Sequence, residues 1–297
     1  MINNLSIRKM TFPHIRFAVL TLISISIGNA EENFNNLVLN GINQMPNGGG
    51  YATNLEAAIG LRRSNDVRGG NLFLVPKLAV PSYCSGATYL VFLKAVRELQ
   101  QNKRIDLNEQ SLRRLLVQGD SDGNGYWGRW NANGPGTAKL VADLKIGKNF
   151  EDIRSAKKGD FLKIFWSKEI GAQERGHSVI YLGKHQNPNG EWEIEYWSSN
   201  KPLGYGLKTT KAHFMKWCLF TRIDSIEGFK NVSNLSQTDE FLASMLLKGY
   251  TRNDIRRRCK IIGTKFSEHN LQIFLDPPPF APLRSGPSAT SKPSRQK

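Results

Sequence analysis

The spacing of apolar positions is typical of helices in the first half of the chain and of strands after residue 160. Residues 84–100 are apolar on most sides of a helix, which predicts a central, buried helix. This helix is expected to begin at Tyr83 or Cys84, with Ser82 as its N-cap. Further helices are predicted over residues 108–118 and 137–144 and, as a short pair, over residues 235–262.

Four apolar segments in the second half have the length and the flanking turn residues of strands. They are DFLKIFW (160–166), HSVIYLG (177–183), WEIEYWS (192–198) and CLFTRI (218–223). The second and third are joined by KHQNPNGE, a connection rich in turn formers, so we expect them to pair as an antiparallel hairpin. Helices followed by an antiparallel meander predict the α+β class.

This pattern divides the chain into five segments. Residues 31–80 are rich in turn formers and predict an irregular N-terminal region. The main α+β domain is expected over residues 81–225, followed by a small helical appendage over residues 226–275. The Pro- and Ser-rich, basic tail at 276–297 is predicted to be disordered. The remaining segment is the N-terminus, residues 1–30.

The N-terminal segment has the three parts of a secretory signal peptide. Arg8, Lys9 and Arg16 come first, then FAVLTLISISI, an apolar run too short to span a bilayer comfortably, and then Gly28-Asn29-Ala30 as a cleavage site. The alternative is a membrane anchor that stays attached. Cleavage predicts a secreted or periplasmic protein with no integral membrane span and no nucleic-acid partner.

The charge of the chain points to an anionic partner. The formal net charge is +16 and is distributed along the sequence, with only short clusters such as RRRCK. A basic surface of this kind attracts polyanions in general, including nucleic acid, anionic lipid and an anionic cell wall. For an exported protein, an anionic cell-surface polymer is the partner that we expect.

Three cysteines in an oxidising compartment leave at least one thiol unpaired. The simplest arithmetic pairs Cys218 with Cys259 in a disulfide and leaves Cys84 free; three reduced, buried cysteines are the alternative. Cys84 stands at the predicted start of the buried helix. Free backbone N–H groups and the helix dipole favour a thiolate there, which is typical of a reactive cysteine.

Three motifs in order resemble those of the papain-like cell-wall cysteine hydrolases, the NlpC-type peptidases and CHAP amidases. They are Cys84-Ser85-Gly86 at the helix start, KKGDFLKIFW at 157–166, and GHSVIYLG at 176–183. The similarity covers roughly residues 80–222. The chain departs from the family pattern at Tyr83, where an acidic residue is usual, and at Lys158, where proline is usual.

The resemblance implies a papain-like core in which a helix carrying the nucleophile Cys84 packs on an antiparallel sheet. His177, at the head of its strand, would be the general base and then the general acid. The third residue, which orients the imidazole, is expected at the end of the next strand. Asn200 is favoured, and Ser198, Ser199 and Glu195 stay open because one residue of register exchanges the two faces of a strand.

The segment DSDGNGYWGRWN allows two further interpretations. Asp120, Asp122, Asn124 and Gly125 match EF-hand positions, but the twelfth position is Asn131 instead of Glu, so a surface loop is favoured over a calcium site. We expect no metal and no cofactor. The candidate substrate groove consists of Tyr126, Trp127, Arg129, Trp130 and, beside His177, Arg175, which could pair with a substrate carboxylate. Buried tryptophans that hold the loop in place are the alternative.

Together these features predict a secreted thiol hydrolase that cleaves an amide bond, with peptidoglycan stem peptides as the expected substrate. One alternative is a secreted protease, deamidase or acyltransferase effector with the same Cys–His site. Another is a catalytically inactive, cationic wall-binding protein.

Overall fold

An eight-stranded sheet flanked by helices organises the part of the chain that the structure describes, residues 33–263 and residue 265. The structure is a computed structural model. The expected signal peptide and the Pro- and Ser-rich tail lie outside the described residues. Within them, no helix has the length and apolar character needed to cross a membrane.

The helices are α1 Phe34–Asn43, α2 Leu55–Arg63, α3 Cys84–Gln101, α4 Glu109–Leu115, α5 Gly125–Asn131, α6 Gly136–Leu144, α7 Glu240–Ala243 and α8 Arg252–Arg258. The strands are β1 Gly48–Gly49, β2 Asn65–Arg68, β3 Asn71–Leu74, β4 Gly147–Phe150, β5 Phe161–Phe165, β6 Gly176–Gln186, β7 Trp192–Asn200, β8 Gly204–Lys211, β9 Trp217–Ile223 and β10 Ile261–Ile262. The large sheet has the order β1-β8-β7-β6-β5-β9-β4-β10, and β2 and β3 form a separate hairpin. The β10–β4 pair is parallel, and the other pairs of the large sheet are antiparallel. This arrangement agrees with the α+β class.

Alternating side chains on the central strands enter two different hydrophobic clusters. Ile180 and Trp197 belong to the cluster that surrounds α3, whereas Val179 and Tyr196 belong to a second cluster. Helix α3 is buried along most of its length, from Ser85 to Val96, as its apolar pattern predicts. The β6–β7 hairpin, predicted from its turn-rich connection, is also present.

The N-terminal region is regular, contrary to the expectation of irregular structure over residues 31–80. Helices α1 and α2 start at asparagine N-caps, where the side chains of Asn33 and Asn54 accept backbone hydrogen bonds. Leu37 and Val38 of α1 are fully buried in the α3 cluster. The turn formers in this region therefore mark short connections between regular elements.

The expected C-terminal appendage is continuous with the main domain in the part that is described. Phe241, Met245 and Ile255 are buried in the second cluster together with strand residues, and β10 extends the large sheet. Residues 33–263 and 265 accordingly belong to one compact unit, and the boundary expected at residue 225 falls inside it. The hydrophobic pattern does not predict strands β4 and β8. For β8 the reason is that most of its residues are partly or fully exposed, so few of them are apolar.

A buried ion pair connects β5 to β9. Asp160, which has no exposed surface, accepts two hydrogen bonds from the Arg222 guanidinium, at 2.7 and 2.6 Å. The same carboxylate accepts from the Asn35 side chain in α1 at 2.8 Å and from the Lys157 N–H at 2.7 Å. Asp160 is the aspartate of the G-D motif, so in this fold that residue joins the first helix to the sheet.

We expect Asp160→Ala to lower the free energy of unfolding by about 3–5 kcal/mol, because it leaves the Arg222 charge buried without its partner. Urea denaturation followed by circular dichroism measures this change. The matched control is Asp66→Ala, which removes a solvent-screened aspartate paired with Arg68 and should cost far less stability than Asp160→Ala. Equal stability losses in the two variants would contradict the structural role of Asp160.

Candidate active site

Cys84 is the first residue of α3 and is partly exposed. The N-cap is Tyr83, in an extended conformation and without a side-chain capping bond, so the expected cap at Ser82 is off by one residue. Ser82 instead exchanges backbone hydrogen bonds with Gly50 and Ala52. No N-cap side chain accepts a hydrogen bond from the first turn of α3, so the N–H groups of this turn stay available near Cys84. The cysteine also lies at the positive end of the helix dipole.

The two residues after Cys84 explain the small side chains of the C-S-G motif. Ser85 is buried and donates its hydroxyl hydrogen bond to Asn131 Oδ1 at 2.6 Å, which connects α3 to α5. Gly86 packs against Leu61 of α2: a Cβ at this position would lie 2.9 Å from the Leu61 side chain. The start of α3 is thus fixed by α5 on one side and by α2 on the other.

His177 and Asn200 face each other at the ends of β6 and β7. The register pairs Ile180 with Trp197, and its continuation by three residues places His177 opposite Asn200. The side chains meet, with His177 Nε2 3.0 Å from Asn200 Oδ1. The amide nitrogen of Asn200 donates to the carbonyl oxygens of Ser198 and Gly206, which directs Oδ1 toward the imidazole.

These contacts define the protonation of the imidazole. An amide oxygen only accepts hydrogen bonds, so Nε2 of His177 carries a proton and Nδ1 is left for the thiol. The ring also lies edge-on to Tyr196, at a centroid distance of 5.7 Å. Among the four candidates for the orienting position, Asn200, the favoured one, is the residue whose side chain contacts the imidazole.

The other candidates for the orienting position have different environments. Ser198 donates its hydroxyl to the Ser178 carbonyl oxygen at 2.7 Å. Ser199 is fully buried and, as the neighbour of Asn200, points to the opposite face of the strand. Glu195 pairs with Gly183, six residues along β6 from His177.

The environment of Cys84 favours its thiolate form. Burial by itself raises the pKa of the thiol, but the hydrogen bond and charge of His177, the Ser178 N–H and the charge of Lys163 lower the pKa from 9.0 to about 6. Lys163 is held by an ion pair with Glu174 at 2.7 Å. A cysteine with this pKa is largely ionised at neutral pH, as a nucleophile must be.

Tyr51 completes the surroundings of the sulfur and was missed by the sequence reasoning. Its hydroxyl lies close enough to Cys84 to interact with it, and the pKa of Tyr51 is raised, first by burial and then by the Cys84 charge. Tyr51 forms a β-bridge with Ser82. Gly204 allows this approach: its φ is +90°, and a Cβ there would lie 2.4 Å from the Gly48 carbonyl oxygen. The run MPNGGGY gives no sequence signal for this contact.

The aromatic segment 126–130 is helical and buried, so the expected exposed groove is wrong. Trp130 packs between Phe92 and Phe161 at centroid distances of 5.0 and 5.1 Å. Tyr126 and Trp127 are 3% and 4% exposed, and Tyr126 donates to the Val232 carbonyl oxygen. Arg129 is 2% exposed, donates to Ser236 and lies 3.3 Å from Asp239. Tyr126 and Arg129 thus anchor residues 232–239, and Trp130 packs in the core beside α3, as the alternative of buried tryptophans predicts.

The EF-hand alternative also fails on geometry. Helix α5 occupies residues 125–131, where an EF-hand would continue as a loop. Asp122 accepts from the Asn133 N–H, and Asn131 accepts from Ser85. Among residues 33–263 and 265, no group of three or more His, Cys, Asp or Glu side chains is arranged to hold a metal ion.

Cys218 and Cys259 are free and fully buried, so the expected disulfide is not formed. Burial raises the pKa of both thiols, that of Cys218 to about 12. Both belong to the second hydrophobic cluster, where a reduced cysteine acts as a small apolar side chain. Only Cys84 therefore has the environment of a reactive thiol within the described residues.

A pocket of about 390 Å³ opens beside the His177–Asn200 pair. Tyr51, Trp166 and Tyr196 are among its walls. Arg175, the candidate for binding a substrate carboxylate, is exposed and lines the same pocket. The structure thus brings together Cys84, His177, Asn200 and Arg175 and leaves the aromatic segment out.

We expect alkylation of Cys84 by iodoacetamide to follow a titration with a midpoint near pH 6, because the thiolate is the reacting form. The rate should be maximal above this pH and fall as the pH falls through it. His177→Ala should move the midpoint upward, since it removes the donor and the charge that lower the pKa. Mass spectrometry of the peptides checks the site, and preferential labelling of Cys218 or Cys259 would contradict the assignment.

Comparison of the chain with family models, curated proteins and solved structures finds no significant match.

Proposed function

We propose that this chain is a cysteine hydrolase with a papain-like catalytic core that cleaves an amide bond through Cys84, His177 and Asn200. The observation that carries the proposal is the placement of Cys84 at the N-terminus of a buried helix, within reach of the charge of His177, whose Nε2 is 3.0 Å from Asn200 Oδ1. A nucleophile, a base and a group that orients the base are the minimal set for acyl transfer by a thiol.

In the proposed mechanism, the Cys84 thiolate attacks the carbonyl carbon of the amide, and the oxygen gains the negative charge. The His177 imidazolium then gives a proton to the nitrogen of the leaving amine as the C–N bond breaks, which leaves an acyl thioester on Cys84. Neutral His177 next takes a proton from water, whose oxygen attacks the thioester. The acid leaves, and the thiolate–imidazolium pair is restored.

Asn200 keeps the imidazole in the tautomer that these reaction steps require. Because Asn200 Oδ1 accepts from Nε2, the exchangeable proton is at Nδ1, which faces the thiol side. Two backbone carbonyls hold the Asn200 amide in this orientation. The triad therefore needs no rearrangement before the attack.

Two groups are suited to stabilise the oxyanion. The backbone N–H of Cys84 is at the positive end of α3, and the Tyr51 hydroxyl lies close to Cys84. The raised pKa of Tyr51 keeps its hydroxyl protonated at neutral pH, so it remains a donor when the oxyanion forms.

The proposed substrate is a peptidoglycan stem peptide. Support comes from the +16 charge, which suits an anionic wall, and from the N-terminal segment with the features of a signal peptide. The test is to incubate purified sacculi with the protein and with Cys84→Ala, and to identify released fragments by mass spectrometry. Fragments that depend on Cys84 support the proposal. Sacculi left intact by a protein whose Cys84 reacts rapidly would point to a protein substrate instead.

The three site residues should differ in the damage that their loss causes. Cys84→Ala and His177→Ala should each lower turnover by at least about 10³-fold, and the double variant should be no worse than either single variant. Asn200→Ala should cost less, about 10- to 100-fold, because the imidazole still reaches the thiol part of the time. Initial rates on sacculus fragments measure the order.

The matched control is His185→Ala. His185 lies near the far end of β6, is half-exposed, and is 3.6 Å from Glu193. It should retain the activity of the unaltered protein. An inactive His185→Ala together with an active His177→Ala would show that the base has been assigned to the wrong histidine.

Tyr51→Phe should lower kcat by about 10²-fold with little change in KM, since it removes one oxyanion donor and keeps the ring. The neighbouring Tyr83, which packs against Trp127 at a centroid distance of 6.3 Å, provides the control variant Tyr83→Phe. Steady-state kinetics separate the two parameters. A higher KM with an unchanged kcat would mean that Tyr51 binds substrate without contributing to the transition state.

A further inference from the structure

Three cations share the pocket with the His177–Asn200 pair. Arg175, Lys201 and Lys208 line it, and the other lining residues include no aspartate or glutamate. All three side chains are exposed. A concave site with charges of one sign concentrates ligands of the opposite sign.

The sheet determines where these charges lie. Lys201 follows Asn200 directly, and Arg175 is two residues before His177. Lys208 pairs with Tyr196 across β7 and β8, while Ser198 and Asn200 pair with Gly206 and Gly204. These two glycines carry no side chain, so Lys208 is the first side chain on this face of β8 beyond Asn200.

The three cations are available to a ligand. In the part of the chain that the structure describes, none of them forms an ion pair, although Lys201 lies 5.3 Å from the centre of the Tyr51 ring. Nearby lysines are different: Lys163 is paired with Glu174, and Lys211 with Glu191, both at 2.7 Å. The three cations that line the pocket therefore keep their charges free for a ligand.

The position of the pocket identifies the half of the substrate that it receives. His177 gives its proton to the nitrogen of the leaving amine, so the leaving half of the substrate lies on the imidazole side of the sulfur. The pocket is bounded by His177 and Asn200, and Cys84 is not part of its lining. The acyl half, which becomes bonded to Cys84, lies outside this pocket.

We propose that Arg175, Lys201 and Lys208 form an anion-binding subsite for the leaving amine, so that the preferred amide joins an acyl group to an amine that bears a carboxylate or phosphate. This inference rests on the proposed function, because it uses the direction of the proton transfer. Tyr51, Trp166 and Tyr196 provide walls for the carbon chain between the amine and the anion.

The reverse of the first step tests the subsite without knowledge of the natural substrate. The Cys84 thiolate displaces p-nitrophenolate from p-nitrophenyl acetate and forms an acetyl thioester. An added amine then attacks the thioester, its nitrogen bonds to the acetyl carbon, its proton passes to His177, and the thiolate leaves. The partition between N-acetyl product and acetate reports how well the amine binds in the leaving-group subsite.

Glutamate, O-phosphoserine and glutamine are the acceptor amines, each used as its α-amide so that any negative charge is on the side chain, and they are compared at equal concentrations of unprotonated amine. We expect at least one anionic acceptor to capture the acetyl group about three- to tenfold better than glutamine does, as charge-assisted hydrogen bonds at an exposed site allow. If glutamate captures more acetyl group than O-phosphoserine does, the subsite prefers a carboxylate, and the opposite order indicates a phosphate. The preference should decrease with added salt.

Lys201→Gln and Lys208→Gln should each lower the capture of the acetyl group by the anionic acceptor, so that it approaches the capture by glutamine. The matched control is Lys230→Gln, which makes the same charge change at an exposed residue outside the pocket and should keep the full preference. Equal capture of all three acceptors, or an equal loss in the Lys230 variant, would overturn the subsite while leaving the hydrolase proposal intact.

A binding measurement separates the two proposals. Saturation-transfer NMR with Cys84→Ala protein compares N-acetylglutamate and N-acetyl-O-phosphoserine with N-acetylglutamine, each as its α-amide so that only the side chain can carry the anion. Anion binding that depends on Lys201, together with no acetylation of Cys84 in the unaltered protein, would reject the hydrolase and retain the anion pocket. Absence of any anion preference in this measurement would reject the subsite.

Discussion

The register between β6 and β7 is the constraint on which the candidate active site depends. Near the active-site end, Ile180 pairs with Trp197, and this register brings His177 opposite Asn200. Beyond an irregularity after Tyr181, the pairing shifts by one residue, and Gly183 faces Glu195. If the pairing of Gly183 with Glu195 were continued without a shift toward the active-site end of the two strands, His177 would face Lys201. A cation there cannot accept a hydrogen bond from the imidazole, so the bulge permits the triad.

The neighbouring strand stabilises this arrangement from the other side. The β7–β8 pairing runs without a shift from Glu193–Lys211 to Asn200–Gly204. It supplies the Gly206 carbonyl that holds the Asn200 amide, and it places glycines where a larger side chain would fill the pocket. Gly204 has a second role, since β1 approaches it closely and leads to Tyr51. One strand therefore positions the orienting residue and the tyrosine beside the sulfur.

The sequence predicted those site residues whose signals are local. Cys84 and His177 each stand at the start of a strongly apolar segment, and the two segments fold as a helix and a strand whose ends meet. Asn200 could only be favoured, because the position of a bulge inside a hairpin is not encoded in hydrophobic alternation. Tyr51 is brought to the site by a bridge to Ser82 across 31 residues, and nothing near it in the sequence indicates this contact.

Two of the wrong predictions share a cause, the rule that segments rich in glycine and polar residues form irregular structure at the surface. Trp127 and Trp130 follow such a segment and are buried, because α5 packs beside α3 and turns its aromatic side chains inward. The Cys218–Cys259 pairing was deduced from the number of cysteines alone, and counting contains no information about distance. The turn formers in residues 31–80 predict irregular structure, whereas in the fold they connect α1 and α2, which are short helices.

The burial of Arg129 has a consequence for the modularity of the chain. Its guanidinium reaches Ser236 and Asp239, and the adjoining α6 Lys139 also binds Asp239 at 2.9 Å. A fragment that ended at residue 225 would retain Cys84, His177 and Asn200 but would remove Ser236 and Asp239 from this arginine, with Asp143 at 3.7 Å left as its acidic partner. Grafting of the candidate active site together with α5 would lose these contacts unless the segment that carries Ser236 and Asp239 were transferred as well. The segment that would have to be transferred is therefore much longer than the motifs themselves.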